Sequence, residues 1–292
     1  MPPPLRPERL RGRVFRGADA VRLGLLTPAA LRSSAWRRLY RGVYADAALP
    51  DDVGVRVRGA LLLMPPAAVL SGRTAAWLHG AVELADTAAP VDVSVPTGVR
   101  FGPVAGLRVR QVALPSTDVV EVRTRRCTSA TRTALDLARD EPLAEAVVAL
   151  DVLLARDVVT RAELQHALAA PPSSRGIRRA RRAVELADPR AESPQESRLR
   201  VLLALAGLTP VPQYTVRDAE GGFVARVDLA FPDQRLAVEY DGAWHGAPQQ
   251  LARDRRRLNR LTAAGWRVVF VTAADLRDPE ALVARVVAAL RS

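Results

Sequence analysis

"VARVDLAFPDQRLAVEYDGAWH", residues 224–245, decides how this chain is read. Two apolar runs flank the turn "PDQR", and the stretch carries Asp228, Asp233, Glu239, Asp241 and His245. From Phe223 to Phe231 the residues alternate as a strand requires, with Phe223, Ala225, Val227, Leu229 and Phe231 on one face. Val224, Arg226, Asp228 and Ala230 share the other. "LAVEYD" is the next strand, with Ala237, Glu239 and Asp241 on one face. If Phe231 pairs with Leu236 across the turn, Asp228 falls opposite Glu239 and Arg226 falls opposite Asp241. Carboxylates directly opposite on paired strands sit roughly 5 Å apart and repel. A divalent cation with a preference for hard oxygen ligands, Mg²⁺ or Mn²⁺, is the natural compensator, and the carbonyl of Tyr240 could add a further oxygen. Such a site suits metal-assisted phosphodiester hydrolysis. His245, just beyond the Asp241-Gly242 turn, is a candidate general base. The simpler alternative for it is a surface histidine beside Trp244.

The flanking segments extend this pattern. "SPQESRLRVLLALAGL", residues 193–208, reads as a helix: Ser193 caps it, Pro194 takes the first helical position, and Glu196 completes a capping box. Gly207 supplies the stop. "QQLARDRRRLNRLTAAGW" is a further helix with Leu251, Leu258 and Leu261 toward the core. Arg253, Arg256, Arg257 and Arg260 form a basic side that could grip a phosphate backbone. "WRVVFV" is a buried strand and "PEALVARVVAAL" a closing amphipathic helix. Residues 193–292 are therefore expected to form a mixed sheet flanked by helices.

Upstream, Thr27-Pro28 is a helix start, with Ala30, Leu31 and Trp36 toward its buried side, and "RLYRGVYA" alternates as a short strand. Helix, turn, helix and strand in residues 1–50 suggest a winged helix-turn-helix, with Arg32, Arg37, Arg38 and Arg41 available to phosphates. A small packing domain with a solvated arginine face is the alternative. Residues 51–170 read as an α/β middle region without a catalytic cluster. Of its two histidines, His79 reads as a packed helix-end histidine, and His166 lies in an ordinary helix and is assigned no role. Residues 171–192 carry Arg175, Arg178, Arg179, Arg181 and Arg182 and read as a basic linker. The fold class expected for the whole is α/β.

The net charge is +12, carried by 43 basic residues that are all arginine. That excess creates a field favouring polyanions, so nucleic acid is the first partner to consider. A single cysteine, Cys127, excludes an internal disulfide and fits a cytoplasmic location. No apolar run approaches the roughly 20 residues of a membrane span, and the start has no apolar signal region. Partnership with a membrane is not expected.

The run "SPQES…RVDLAF…LAVEYDGAWH…RDRRRLNRL…GWRVVFV" resembles a family related to the very-short-patch-repair (Vsr-like) endonucleases, within the restriction-endonuclease-like PD-(D/E)XK superfamily. Residues 15–140, through "RLYRGVYA" and "TSATRTALDLA", look like the AbiEi-type antitoxin region found with such nuclease-like domains in actinobacterial proteins. The first resemblance implies Asp228 as the metal-binding aspartate and Glu239 as the following acid. It implies Glu196 as an acid acting through metal-bound water, and His245 as the histidine after the "DG" turn. Asp254 and Arg257 match a polar pair on the next helix. Asp241 stands where the superfamily usually has lysine, and Vsr-like members share that departure.

Two functions follow as expectations. The first is a metal-dependent DNA endonuclease or nickase acting on duplex DNA in repair or defence. The alternative is a non-catalytic, antitoxin-like DNA-binding regulator that retains a retired nuclease fold, with a cognate toxin as a further partner. An RNA-processing nuclease is a third reading, disfavoured by the few aromatic residues free to stack on bases.

Overall fold

The computed structural model of the chain describes residues 6–169, 175–242 and 248–291, with side chains described for all of these except 248–254. It is mixed α/β and divides into two compact units, residues 1–136 and 137–292.

The first unit begins with strand β1 (Val14–Arg16) and helix α1 (Gly17–Arg22), followed by the hairpin β2 (Trp36–Tyr40) and β3 (Val43–Asp46). These strands form a three-stranded sheet of order β1-β3-β2. The helix expected from Thr27 is a single 3₁₀ turn, Ala30–Arg32. Thr27 does cap it, its hydroxyl accepting from the Ala30 N–H at 3.1 Å. The turn is short because the chain must be extended by Trp36, which is buried against Phe15 with ring centroids 5.1 Å apart. The helix-turn-helix element is thus α1, a connection and one 3₁₀ turn ahead of the hairpin.

Helix α2 (Val53–Leu61) leads into a five-stranded sheet of order β6-β5-β4-β8-β7, made of β4 (Val69–Leu70), β5 (Val91–Pro96), β6 (Leu107–Val112), β7 (Val119–Val122) and β8 (Arg125–Thr128). Helix α3 (Gly72–Leu78) packs on it. One core joins Tyr40 and Val43 of the hairpin, Val57 and Ala60 of α2, and the sheet residues Leu70, Val91, Val93 and Val95. His79 caps no ligand set: its Nε2 lies 2.8 Å from the Thr128 carbonyl, a packing role. Helix α4 (Ala130–Asp140) follows the sheet.

The second unit contains α5 (Leu143–Ala155), α6 (Arg161–Ala167), α7 (Ile177–Leu186) and α8 (Pro194–Leu205). The segment 171–192, expected as a linker, holds α7. Ile177, Ala180, Ala183 and Val184 lie at helical spacing and are buried, and α7 packs on α5. Its arginines therefore decorate a packed helix.

A four-stranded sheet of order β12-β11-β10-β9 completes this unit. Its strands are β9 (Val211–Arg217), β10 (Phe223–Phe231), β11 (Leu236–Tyr240) and β12 (Arg267–Val271). β9, β10 and β11 are antiparallel neighbours, and β12 runs parallel to β11. Leu199 and Leu203 of α8, with Leu282 and Val286 of α10 (Pro279–Arg291), cover one face through Leu229, Phe231, Leu236 and Val238. Leu261 of α9 (Pro248–Ala263) and Trp266 cover the other through Val216, Ala225, Val227, Ala230 and Ala237.

The β10–β11 register is the one expected, with Phe231 opposite Leu236, Ala230 opposite Ala237 and Leu229 opposite Val238. The single-face reading of β10 is corrected: Ala225 and Val227 join the α9-side core, while Leu229 and Phe231 join the other. The alternation breaks at Asp228. Pairing with β9 goes from Val227–Tyr214 to Leu229–Pro212, and the intervening Gln213 adopts a left-handed backbone, φ 50°.

Candidate functional site

That irregular point is where the acids meet. Asp228 sits where the strand pairing with β11 stops, and its Oδ2 accepts the Tyr240 main-chain N–H at 2.9 Å. Burial pushes the Asp228 carboxyl up to about 6. The Tyr240 N–H opposes this, the Glu196 and Glu239 carboxylates add to it, and Arg257 offsets part of it. Glu239, next along β11, is buried at 7% exposure.

Glu239 is held by a two-pronged ion pair. Arg257 of α9 donates Nη1 to Oε2 at 2.5 Å and Nη2 to Oε1 at 2.7 Å. The same Nη2 reaches the Arg226 carbonyl at 2.7 Å. Such a fork fixes the guanidinium plane and places a positive charge against both carboxylate oxygens.

Glu196 enters from the start of α8. Ser193 Oγ accepts the Glu196 N–H at 3.2 Å, as the capping box requires. The carboxylate itself does not close the box on Ser193. Its Oε2 accepts the Glu192 N–H and the Gln213 Nε2, both at 2.9 Å. Gln213 thus bridges the strained point of β9 to the acid on α8. A non-glycine residue with positive φ is uncommon and is maintained only where its surroundings compel it.

Gln213 is the functional-site residue that sequence reasoning missed, because β9 was not recognised. The alternation in "VPQYTV" was the available signal.

The remaining expected residues divide plainly. Asp241 is exposed and its N–H donates to the Val271 carbonyl at 2.7 Å, at the end of the sheet. Its expected pairing with Arg226 is corrected: Arg226 lies opposite Thr215 of β9 and bonds Glu192 at 2.5 Å. The reason is that the part of β10 before Leu229 pairs with β9 and not with β11. Tyr240 contributes its N–H to Asp228, and its half-buried side chain packs toward α8 and α10. His245 lies outside the described residues, as do the side chains of Arg253 and Asp254. Arg256 and Arg260 are exposed on α9.

In the first unit, Arg32, Arg38 and Arg41 are exposed around the hairpin. Arg37 is engaged internally, donating to the carbonyls of Leu49 at 3.3 Å and Pro50 at 2.9 Å.

Among the described residues, no three His, Cys, Asp or Glu side chains converge as metal ligands. With Arg257 forked onto Glu239, the donor set as arranged does not fit a divalent cation. What the arrangement does is bring a carboxyl raised by burial, two further acids, an amide and a guanidinium together beside the two central strands of the sheet.

Residues 66–188 match the AbiEi antitoxin C-terminal domain. Over 254 residues the chain is 37% identical to "Uncharacterized protein MT2308" of Mycobacterium tuberculosis (strain CDC 1551 / Oshkosh), covering 85% of this chain and 90% of that one. "Uncharacterized protein Rv2248" of Mycobacterium tuberculosis (strain ATCC 25618 / H37Rv) matches with the same identity and coverage. The chain belongs to their family. Its AbiEi antitoxin segment spans β4 to α7 and ends before Glu196, so the acidic constellation lies outside it. A solved structure titled "Crystal structure of RV2827C protein from Mycobacterium tuberculosis" aligns with a TM-score of 0.42 at 18% identity, over 73% of this chain and 86% of that one. No helix among the described residues is long and apolar enough to cross a membrane.

Proposed function

We propose that this protein is an antitoxin-like, DNA-binding regulator whose C-terminal sheet is a nuclease-type fold retained for binding. The match of residues 66–188 to the AbiEi antitoxin C-terminal domain carries the reading. Three things support it further: the net charge of +12, the exposed Arg32, Arg38 and Arg41 on the N-terminal hairpin side, and the fork that occupies Glu239. Under this reading the hairpin arginines contact phosphates, and a cognate toxin is the protein partner. The test is a titration of the full chain against a duplex from upstream of its own coding sequence. Native protein is expected to bind, and the Arg32→Ala/Arg38→Ala/Arg41→Ala variant to bind at least tenfold more weakly. Equal binding by both removes the hairpin from the interface, and no binding by native protein overturns the regulator.

A second reading is favoured by one observation: beside the strained Gln213, burial and the neighbouring Glu196 and Glu239 carboxylates raise the Asp228 carboxyl to about 6. It is a Vsr-like, Mg²⁺- or Mn²⁺-dependent endonuclease, which requires Arg257 to leave Glu239. Supercoiled-plasmid nicking that depends on added metal and disappears in Asp228→Ala/Glu239→Ala would favour it. Absence of nicking in native protein across Mg²⁺ and Mn²⁺ leaves the regulator standing.

A further inference from the structure

A cleft of about 790 Å³ opens on the second unit, between the β9–β10 hairpin and the C-terminal end of α9. Its walls combine two kinds of chemistry. Tyr214, half-buried, lines its floor and packs on the buried Trp266, ring centroids 5.6 Å apart and inclined by 31°. Phe223 stands at its mouth with 61% of its surface exposed. The second kind is cationic: Arg217, Arg235 and Arg260 line the same cleft and are exposed. Among the described residues none of the three guanidiniums is paired with a carboxylate. Arg217 donates to the Gly221 carbonyl at 2.8 Å, and the Arg235 guanidinium lies over Gly265. Two acids share the rim. Asp218 is consumed by the hairpin turn, accepting the Gly222 N–H at 2.6 Å, which leaves Glu220 at the turn itself.

Position adds to composition. Arg217 is four residues along β9 from Gln213, which is about 13 Å at strand rise. On α9, Arg260 lies one turn beyond Arg257. The cleft therefore begins a helical turn from the guanidinium at the acidic site, on the side of the sheet that α9 covers. An exposed aromatic face beside guanidiniums not paired with a carboxylate is what a single nucleotide demands: a base to stack, a phosphate to neutralise. The volume falls within the range that holds a small ligand unit.

We infer that this cleft receives one unpaired nucleotide of a DNA strand, the base against Phe223 and the half-buried Tyr214, the phosphate on Arg217, Arg235 and Arg260. The inference rests on the reading of the chain as DNA-binding and names the form of DNA it takes at this end. A base inside an intact duplex cannot reach such a cleft, so the ligand is a single-stranded segment or an extruded nucleotide.

The test uses the full chain and two probes. One is a 3′-fluorescein-labelled dT hexanucleotide, too short to form a duplex site; the other is the upstream duplex used above. Native protein is expected to bind the hexanucleotide, and Phe223→Ala and Arg260→Ala are each expected to weaken it about tenfold. Phe223→Tyr is expected to restore stacking and native affinity. Duplex affinity should change less than twofold in the Phe223 variants. Both substituted side chains are exposed, so the variants keep the fold. The cleft assignment is overturned if the hexanucleotide does not bind, or if neither alanine variant alters its binding. Tighter binding of a uridine hexaribonucleotide than of the dT strand overturns the choice of DNA. Hexanucleotide binding that depends on the cleft, without any duplex binding, removes the regulator reading and keeps the cleft. Duplex binding without hexanucleotide binding does the reverse.

Discussion

Asp228 concentrates the electrostatics of the C-terminal sheet in one carboxyl. Its ordinary value is 3.8 and burial lifts it to about 6, with Glu196 and Glu239 adding to the lift. The sign of the consequence follows from proton counting. Between about pH 4 and pH 6 the folded chain keeps this proton while the unfolded chain has released it, so stability falls as pH rises through that window. Above pH 6 the cost of holding the charged form is fully present. An amide of the same shape escapes that cost and still accepts the Tyr240 N–H. Asp228→Asn is therefore expected to stabilise the protein at pH 7.5 by about 1–2 kcal/mol, a figure already reduced for the solvent that reaches the group. The gain should vanish at pH 4, where both forms are neutral. Urea unfolding of the two proteins at the two pH values measures it. Loss of stability at pH 7.5 would mean that the carboxylate is ionised and held by a partner stronger than the Tyr240 amide.

At the scale of elements, the helical layer of the second unit is pinned by a buried charge. Asp151 of α5 is 1% exposed and accepts from Ser197 Oγ, Arg200 Nη2 and the Asp188 N–H, each at 2.6 Å. Arg200, also buried, extends to the Leu186 carbonyl at the end of α7. One carboxylate thus ties α5, α7 and α8 together. Removing it strands the Arg200 charge in a low-dielectric interior, so Asp151→Ala is expected to cost about 3–5 kcal/mol. The double change Asp151→Leu/Arg200→Met should recover most of that, because the pair is replaced as a unit. Thermal denaturation of the three proteins separates these outcomes; a double variant as unstable as the single one would show that the network holds the helices by geometry and not by charge balance. Neither this tie nor the packing of α7 was legible in sequence. The five arginines of 175–182 dominate the composition there, and two of the four apolar positions, Ile177, Ala180, Ala183 and Val184, are alanine. Where periodicity was carried by large residues, as in β10, β11, α8 and α10, the elements and the Phe231–Leu236 register followed directly; β12 also forms where expected, but as an edge strand with Val271 buried and Phe270 exposed and not as the buried strand expected. The site divides the same way. Its three acids stood out because carboxylates interrupt apolar runs. The fork from Arg257 did not, since nothing in a row of α9 arginines marks the one that turns inward. Gln213 was hidden because a strand beginning "VP" carries little hydrophobic signal.

The whole molecule presents a net charge of +12 to its surroundings, and under the proposed regulator reading that charge governs its approach to DNA. Each phosphate neutralised by an arginine releases condensed counterions, so the logarithm of affinity falls with the logarithm of salt at a slope of about 0.9 per contact on duplex DNA. If Arg32, Arg38 and Arg41 each meet a phosphate, the triple alanine variant should lower that slope by about 2.7. The prediction separates contact from field. Removing three charges from a diffusely positive surface weakens steering but leaves the number of neutralised phosphates nearly unchanged. The slopes come from duplex titrations of both proteins between 50 mM and 300 mM salt. A parallel displacement of the two lines would mean that the hairpin arginines act only through the overall field, and the interface would then have to be sought on the arginines of the second unit, where α9 carries Arg256 and Arg260 on an exposed face.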